Sequence, residues 1–460
     1  MGRRGHTRRD VLKAAGVGAA ALSVAGPAPA REKRERKPNI LLYVTDDHGT
    51  DDAGCYGNPV IKTPGLDMLA GEGTRFTRAF CTSASCSPSR SVILTGRYNH
   101  ATGQYGLAHS YHHFVSLPHV KSLPVLLGNA GYRTVSAGKF HVAPEEIYHF
   151  DQYVKGGAPP RMADTCRPVI ASEDTRPFFL YFCTTEPHRP FRREGSDPVD
   201  PNDVIVPSYL PDTPECREEL AEYYGSVQRA DSGLSRIMEI LKETGHWDDT
   251  MIIYISDNGI PFPGAKTTLY DPGIRLPCVV RSPHQTKRGI ACNAMITWAD
   301  ITPTLLDFAG VAPPQRGCHG RSFLSVLDQE SPKGWDEIYA SHTFHEVTMY
   351  YPMRVVRTRR HKLIWNIAHG LEYPFASDLW ESRTWQGVLK RGDTHYAKRS
   401  VDAYIHRPEF ELYDLENDPD EINNLADNSK HAAIREELKR KLKEFQKRTD
   451  DPWILKWERE

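Results

Sequence analysis

The pentapeptide Cys86-Ser87-Pro88-Ser89-Arg90 combines a thiol, a proline and a guanidinium, and an apolar run follows it at once. Proline is favoured near the first position of a helix, because its missing N–H has no partner there. The pattern therefore predicts a helix that begins at Cys86, where backbone N–H groups and the helix dipole favour an anion. Arg90, one turn further in, adds a planar positive group. The pentapeptide suits the binding of a tetrahedral oxyanion, and a buried inert cysteine at a helix start is the alternative.

Oxygen ligands for a hard divalent cation follow two apolar runs. Asp46 and Asp47 come directly after residues 39–45, and Asp257 and Asn258 come after residues 251–255. A carboxylate-rich set with one amide oxygen suits Ca²⁺, with Mg²⁺ as the alternative. Adjacent acids after a strand are often plain turn residues, so the argument depends on the two pairs together.

Cations and proton carriers lie in three further segments. Lys139 and His141 are two residues apart, so in an extended segment both side chains point to the same side. A lysine can hold an anionic oxygen, and a histidine can exchange a proton near neutral pH. His188, in a proline-flanked turn, is a second acid–base candidate, and Lys266 is a second anion ligand. A structural or solvated role is the alternative for each of them.

The elements that would position these residues follow from the apolar pattern. Apolar runs at 39–45, 133–137, 177–182 and 251–255 suit strands buried on both faces. Helical patterns at 65–73, 122–131, 215–245 and 300–309 lie between them. This alternation predicts an α/β fold with a large, mostly parallel sheet flanked by helices. A polar cluster follows each of the four strands, at the end where such folds bind ligands.

The pattern changes after about residue 327. We therefore predict a catalytic domain over 31–327 and a smaller C-terminal α+β subdomain over 328–460. Residues 354–364 and 411–415 are strand-like and would form an antiparallel sheet. The last helix presents an apolar face at near-helical spacing, formed by Ile434, Leu438, Leu442 and Phe445.

Composition and the N-terminus limit the class of protein. The formal net charge is −1, which excludes a global field that would attract nucleic acid or a membrane. Residues 7–13 contain paired arginines and resemble a twin-arginine export signal, with small residues for cleavage at 28–30. The apolar stretch 14–25 is too short to span a bilayer, which takes about 20 residues. We expect a signal peptide over 1–30 and an exported, periplasmic or extracellular protein without a transmembrane anchor.

Together these motifs carry a resemblance. Cys86-x-Pro88-x-Arg90, Gly138-Lys139-Phe140-His141, the Asp46-Asp47 pair and Asp257-Asn258-Gly259 resemble the formylglycine-dependent sulfatases of the alkaline phosphatase superfamily. Residues 411–426 resemble the C-terminal subdomain of that family, so the likeness runs from about residue 38 to 453. Residues 106–114, 256–263, 345–354 and 451–453 resemble in particular the sulfamidases, the heparan N-sulfatases.

The resemblance implies a mechanism. Cys86 would be oxidised to formylglycine by a formylglycine-generating enzyme or its equivalent, and its hydrate would be the nucleophile. A calcium ion would be held by residue 86 and the four oxygen ligands, and Arg90 would help to activate the nucleophile. Lys139 and Lys266 would hold the sulfuryl oxygens. His188 would protonate the leaving group, and His141 would assist release of sulfate.

For the substrate, the resemblance implies N-sulfated glucosamine at the non-reducing end of heparin or heparan sulfate. His345, Glu346 and Arg354 would face the sugar, with strand packing as their alternative. Three other functions stay open: an O-sulfatase on a related sugar, a phosphate or phosphonate ester hydrolase, and a glycan-binding protein with an unmodified Cys86. The nine cysteines leave at least one thiol unpaired. The oligomeric state is also open, with a homodimer as one candidate.

Overall fold

An eight-stranded sheet forms the centre of the structure, a computed structural model that describes residues 37–459. Its strands are β1 (Asn39–Thr45), β2 (Thr74–Phe80), β3 (Arg133–Gly138), β4 (Gln152–Val154), β5 (Phe178–Cys183), β6 (Thr250–Ser256), β7 (Arg275–Arg281) and β8 (Ile290–Thr297). Their order is β4-β3-β5-β1-β6-β7-β2-β8, and only β7 runs antiparallel to its neighbours. The expected mixed, mostly parallel sheet is confirmed.

Helices cover both faces of this sheet and continue into the C-terminal part. They are α1 (Pro64–Gly71), α2 (Cys86–Thr95), α3 (Asn99–Thr102), α4 (Leu123–Asn129), α5 (Pro159–Ile170), α6 (Pro214–Glu243), α7 (Asp271–Ile274), α8 (Ile301–Phe308), α9 (Ser377–Trp380), α10 (Arg383–Arg391), α11 (Val401–Ile405) and α12 (Ala432–Arg448). Short 3₁₀ turns lie at Gly54–Tyr56, Ser110–His112, Trp298–Asp300, Leu324–Val326, Ser429–His431 and Pro452–Trp457.

Each face of the sheet has its own apolar core. Because successive side chains of a strand point to opposite faces, Ile40 and Leu42 of β1 pack with α2, α4 and α8, whereas Leu41 and Tyr43 pack with α5 and the second half of α6. All seven residues of β1 are buried. A strand covered on both faces holds its C-terminal end in place, and that end carries Asp46.

A second, four-stranded antiparallel sheet lies in the C-terminal part. Its strands are β9 (Glu337–His342), β10 (Met353–Thr358), β11 (His361–Asn366) and β14 (Phe410–Asp414), in the order β14-β11-β10-β9, and β12 (His395–Tyr396) pairs with β13 (Arg399–Ser400) in a separate ribbon. The terminal helix α12 buries Leu438, Leu442 and Phe445 as expected. Residues 354–364, read as one strand-like stretch, form instead a hairpin of β10 and β11 that turns at Arg359 and Arg360.

Some expectations fall outside the structure or stay untested. The predicted signal over 1–30 lies outside the described residues. The boundary at 327/328 stays a prediction, and the second sheet begins at Glu337. All nine cysteines are unpaired thiols. Within residues 37–459 we find no helix both long and apolar enough to cross a bilayer.

Candidate active site

The carboxyl ends of β1 and β6 bring the four predicted oxygen ligands together. These strands are neighbours and run parallel, with Thr45 opposite Ser256, so the residues after them meet. The Asp47 amide donates to Asp257 Oδ1 at 3.1 Å, and Asn258 Nδ2 donates to Asp47 Oδ1 at 2.5 Å. Asp46, Asp47, Asp257 and Asn258 are all buried.

Cys86 is the first residue of α2, as predicted, and Ser85 precedes the helix. Its Sγ lies 3.6 Å from Asp46 Oδ1. Burial raises the pKa of the Cys86 thiol well above its usual value, and Asp46 adds to this rise while Lys139 opposes it. The unmodified side chain is therefore a neutral thiol at neutral pH, and a neutral thiol is a weak nucleophile.

Arg90 lies on the next turn of α2 and is fully buried. Its Nε and Nη2 both lie 2.9 Å from Asp257 Oδ2, and its Nη1 donates to the Lys139 carbonyl at 3.2 Å. Nη2 also lies 3.8 Å from Asp46 Oδ1. Arg90 thus ties the helix start to the ends of β1, β3 and β6.

Lys139 and His141 both follow β3, but their side chains contact different partners. Lys139 Nζ donates to Asp46 Oδ2 at 2.6 Å. His141 Nε2 contacts His109 Nδ1, and its buried Nδ1 has no hydrogen-bond partner. Burial lowers the pKa of His141 well below its usual value, and Lys139 lowers it further. His141 is therefore neutral at neutral pH and can accept a proton.

Lys266 is the centre of a second charged group. Its Nζ lies 2.9 Å from Asp47 Oδ2, 3.1 Å from His188 Nε2 and 2.8 Å from Asp378 Oδ2. Burial would lower the pKa of Lys266, yet Asp378 and Asp47 raise it well above its usual value. Burial and the neighbouring Lys266 lower the pKa of His188 to about 4.

The donor set fits a hard divalent cation. Asp46, Asp47 and Cys86 each present one ligand atom, and these atoms lie within 4.8 Å of one another. Asn258 Oδ1 is buried without a hydrogen-bond partner, and an unpaired buried oxygen is unfavourable unless something binds it. The site contains four carboxylates, those of Asp46, Asp47, Asp257 and Asp378, and three cations, Arg90, Lys139 and Lys266. A bound divalent ion would therefore change the net charge of the site from negative to positive.

The backbone is constrained next to these side chains. Gly138 ends β3 at φ +83°, and a Cβ there would lie 2.0 Å from the Cys183 carbonyl oxygen. Asp47, His141 and Thr267 have φ values of 71°, 56° and 67°. Non-glycine residues in the left-handed region cluster at functional sites, where the surrounding structure holds them. For a β-branched residue such as Thr267 the conformation is especially unfavourable.

The three residues predicted to face the sugar have different surroundings. His345 is buried, and its Nδ1 lies 2.8 Å from Ser85 Oγ, directly before Cys86. Glu346 is half-buried and accepts hydrogen bonds from Ser377. For these two, contact with a sugar stays a prediction. For Arg354 the prediction is wrong, because its side chain is 0 % exposed and forms a bidentate ion pair with Asp451.

Two residues of the site were not singled out by the sequence. Asp378 lies on the four-residue helix α9 and follows no long apolar strand, so no local pattern marks it. His109 lies in segment 106–114, whose resemblance to sulfamidases could have suggested a role. Both residues lie at the site only because the folded chain brings their segments next to the other site residues.

The fold and the charged cluster define a hydrolase of the sulfatase type. The sulfatase family profile matches residues 38–311, more than half of the chain, and the chain belongs to that family. A second profile, "N-sulphoglucosamine sulphohydrolase, C-terminal", matches residues 265–380 and 394–448.

Individual relatives agree with this assignment. The chain is 37 % identical over 465 residues to human N-sulphoglucosamine sulphohydrolase, covering 92 % of each chain. It is 30 % identical over 418 residues to an ulvan-active sulfatase of Formosa agariphila, covering 87 % of this chain and 78 % of that one. A solved structure described as a complex with its substrate D-glucosamine-2-N,6-O-disulfate shares the fold, with a TM-score of 0.70 and 23 % identity over 90 % of this chain and 99 % of that chain.

Proposed function

We propose that this sulfatase hydrolyses the N-sulfate of glucosamine at the non-reducing end of heparin or heparan sulfate fragments. The observation that carries the proposal concerns the charged group around Lys266, and specifically which segment of the chain supplies its residues. The C-terminal profile named for N-sulphoglucosamine sulphohydrolases spans residues 265–380, and this segment supplies both Lys266 and Asp378. The human relative with that name supports the same substrate class.

A divalent cation, Ca²⁺ in our proposal, would be held by Asp46, Asp47, Asp257, Asn258 and residue 86. All five ligands are buried. Carboxylate and amide oxygens are the ligands that Ca²⁺ accepts in flexible geometry. When bound, the ion would supply positive charge that lowers the pKa of a coordinated hydroxyl. Arg90 fixes the Asp257 side chain and partly opposes the burial that raises the pKa of this carboxyl group to about 7.

The nucleophile in this proposal is residue 86 after oxidation of Cys86 to formylglycine by a formylglycine-generating enzyme. As the aldehyde hydrate, residue 86 would supply one hydroxyl to attack sulfur and a second to expel sulfate. Mass analysis of the peptide that contains Cys86 tests this step. An unmodified thiol in catalytically active protein would contradict it, and an unmodified thiol in inactive protein would favour the glycan-binding alternative.

The remaining side chains would handle charge and protons. Lys139 and Lys266 would hold the sulfuryl oxygens as the S–N bond breaks. The leaving nitrogen needs a proton, because an amide anion is a very poor leaving group, and in our proposal His188 would give it. Its pKa of about 4 keeps His188 neutral in the free protein, and an anionic sulfamate bound beside it would favour the protonated form. His141 would take up a proton as sulfate leaves residue 86.

The deciding experiment compares defined substrates side by side. N-sulfoglucosamine, glucosamine 6-O-sulfate and phenyl phosphate separate the sulfamidase, the O-sulfatase and the phosphoesterase. We expect release of sulfate from N-sulfoglucosamine with a kcat/KM at least about 100-fold above the other two, because a site built for one leaving group rejects others strongly. A preference for the 6-O-sulfate would overturn the proposal in favour of an O-sulfatase.

We further propose that the protein is exported through its twin-arginine segment. The motif Arg8-Arg9 is followed by a weakly apolar stretch and by small residues. Changing both arginines to lysine should retain the protein in the cytoplasm when cells are fractionated. Unchanged export of that variant would contradict the assignment. Sedimentation of the purified protein tests the homodimer.

A further inference from the structure

Asp378 is a carboxylate that α9 places inside the catalytic cluster. Its Oδ2 accepts a hydrogen bond from Lys266 Nζ at 2.8 Å and lies 3.8 Å from His188 Nε2. Asp47, His188 and Asp378 together have the arrangement of a second cation site. The Lys266 ammonium lies within 3.1 Å of a ligand atom of each, so it neutralises this group. Asp378 is thus available for a role other than metal binding.

Only one oxygen of Asp378 is used by the protein. Within residues 37–459 the single hydrogen bond to its side chain is the one from Lys266 to Oδ2. The side chain is 19 % exposed, whereas that of Lys266 is 0 % exposed. An ionised carboxylate accepts hydrogen bonds at both oxygens. Oδ1 is therefore free to accept a hydrogen bond from a bound molecule.

The helix that carries Asp378 and the segment just before it are both held in place. Glu346 Oε1 accepts hydrogen bonds from the Ser377 amide at 2.9 Å and from Ser377 Oγ at 2.6 Å. The Tyr373 hydroxyl donates to the carbonyl of Thr267, next to Lys266, at 2.8 Å. An acceptor held in advance gains affinity, because little conformational freedom is lost on binding.

There is room for a sugar beside this helix. A cavity of about 500 Å³ is lined by Glu346, Tyr373, Ser377 and Trp380, among others. Trp380 is 47 % exposed there, and its ring offers a flat apolar surface. Helix α9 therefore carries one residue that contacts Lys266 and two that border open space.

We propose that Asp378 is a specificity-determining residue that accepts a hydrogen bond from the sugar hydroxyl next to the scissile sulfamate. This inference rests on the proposed function. With the sulfuryl group at Lys139 and Lys266 and the leaving nitrogen at His188, the carbon next to the nitrogen-bearing carbon comes within reach of Asp378. At a chain end the C1 oxygen is in a glycosidic bond and has no proton, so the donor is the 3-hydroxyl. A sulfate at that position would instead meet the charge of Asp378.

A cycle of two enzymes and two substrates tests the hydrogen bond. The enzymes are wild type and Asp378→Ala, and the substrates are the methyl glycosides of N-sulfoglucosamine and of its 3-deoxy analogue, in which the C1 oxygen carries no proton. Loss of a hydrogen bond to a charged group corresponds to about 10- to 100-fold in kcat/KM. On N-sulfoglucosamine, the variant should be lower than the wild type in kcat/KM by that factor. For the wild type, kcat/KM should fall by the same factor from N-sulfoglucosamine to the 3-deoxy analogue. For the variant, kcat/KM should be nearly the same on the two substrates.

Equal losses of the variant on both substrates would overturn the inference, because Asp378 would then only support Lys266. If the wild type cleaves neither N-sulfo sugar, the proposed function itself fails, so the two failures are distinguishable. Asp402→Asn removes an exposed carboxylate on α11 and is the matched control, with kcat/KM expected to stay unchanged.

A second variant, the isosteric Asp378→Asn, tests the charge and keeps the fold. N-sulfoglucosamine that carries an additional 3-O-sulfate should be a poor substrate of the wild type. The variant should improve its kcat/KM relative to N-sulfoglucosamine by at least about 10-fold, because a like charge beside the binding position has been removed. An unchanged ratio in a variant with normal thermal stability would contradict a role for Asp378 in specificity.

Discussion

Two of the regions in which this protein buries charged side chains differ in how far the protein itself satisfies those charges. At the catalytic cluster, the carboxylates of Asp46, Asp47 and Asp257 lie together, and Asn258 Oδ1 has no partner. Burial raises the pKa of Asp47 to about 6 and that of Asp257 to about 7, as expected where the protein alone does not fully compensate a buried charge.

The ion pair of Arg354 and Asp451 is the opposite case. Arg354 donates twice to Asp451, at 2.6 and 2.9 Å, and also to the carbonyl oxygens of His342 and Met353. Gln446 and the Trp453 amide donate to the same carboxylate. Burial alone would raise the pKa of Asp451, yet Arg354 holds it well below its usual value. A buried charge whose partners the protein supplies is costly to leave unpaired, and we call Arg354, Asp451 and their partners the complete region. The catalytic cluster leaves charge and an amide oxygen available to a ligand, and we call it the incomplete region.

The largest expected effect is on the incomplete region. Cys86→Ala removes the proposed nucleophile, so turnover of N-sulfoglucosamine should fall by at least about 10⁴-fold, the scale seen when a nucleophile is deleted. Initial rates at saturating substrate measure the loss. Cys166→Ala, at a buried cysteine of α5, should keep its turnover per folded molecule. Substantial activity of Cys86→Ala would contradict the proposed mechanism, in which residue 86 is the nucleophile.

The complete region should respond in stability and not in catalysis. Arg354→Met leaves Asp451 buried and unpaired, so the free energy of unfolding should fall by about 3–5 kcal/mol. Urea unfolding measures the change, and kcat/KM per folded molecule should stay within about 2-fold, because sites that share no partners act independently to within about 0.5 kcal/mol.

The matched control for this variant is Arg354→Met combined with Asp451→Asn, which removes the unpaired charge. It should recover part of the lost stability, because no ionised group is then left unpaired. A raised KM for N-sulfoglucosamine with unchanged stability would show that Arg354 faces the sugar after all.

Removal of the cation should affect only the incomplete region. Dialysis against a chelator should abolish turnover, and returning Ca²⁺ should restore it better than Mg²⁺. A ligand present at 100 times its Kd stabilises the folded state by about 2.7 kcal/mol, so Tm should rise on adding Ca²⁺. Arg354→Met should show the same rise as the wild type, because distant sites add independently. A Tm that is insensitive to Ca²⁺ and chelator would contradict the metal site.

The part of the site that the sequence could predict is the part that follows the buried strands of the central sheet. Asp46, Lys139, His188 and Asp257 follow buried strands, and strands in a mostly parallel sheet bring such residues to one edge. The apolar runs therefore predicted both the central sheet and the residues that meet at its edge. Cys86 was predictable because a proline and an apolar run mark the start of α2.

The C-terminal contributions could not be predicted in this way. Arg354 and Asp378 both lie in the C-terminal part of the chain, and their partners are 97 and 112 residues away in sequence. Whether a charged side chain pairs inside the protein or points into the site depends on how the second sheet and α9 pack. A local pattern carries no information about such distant partners, so Arg354 was assigned to the sugar and Asp378 was missed.

The smallest expected effect is a pH dependence in the complete region. His100 is buried beside this ion pair, with Nε2 2.9 Å from Thr449 Oγ1 and Nδ1 3.2 Å from Ser341 Oγ. Burial lowers the pKa of His100 to about 4, below the unfolded value of about 6.5. The unfolded state therefore binds the proton first, and stability is lost as the pH falls from about 6.5 towards 4.

At pH 5 this single group should destabilise the wild type by about 2 kcal/mol relative to pH 7. Asp451 stays ionised over that range because its pKa is held low, so the ion pair itself contributes no change. Urea unfolding of wild type and His100→Gln at both pH values isolates the effect, because every other histidine is shared. His100→Gln should lose less stability than the wild type between pH 7 and 5. Identical losses would mean that His100 titrates normally in the folded protein, and the complete region would then tolerate an added charge.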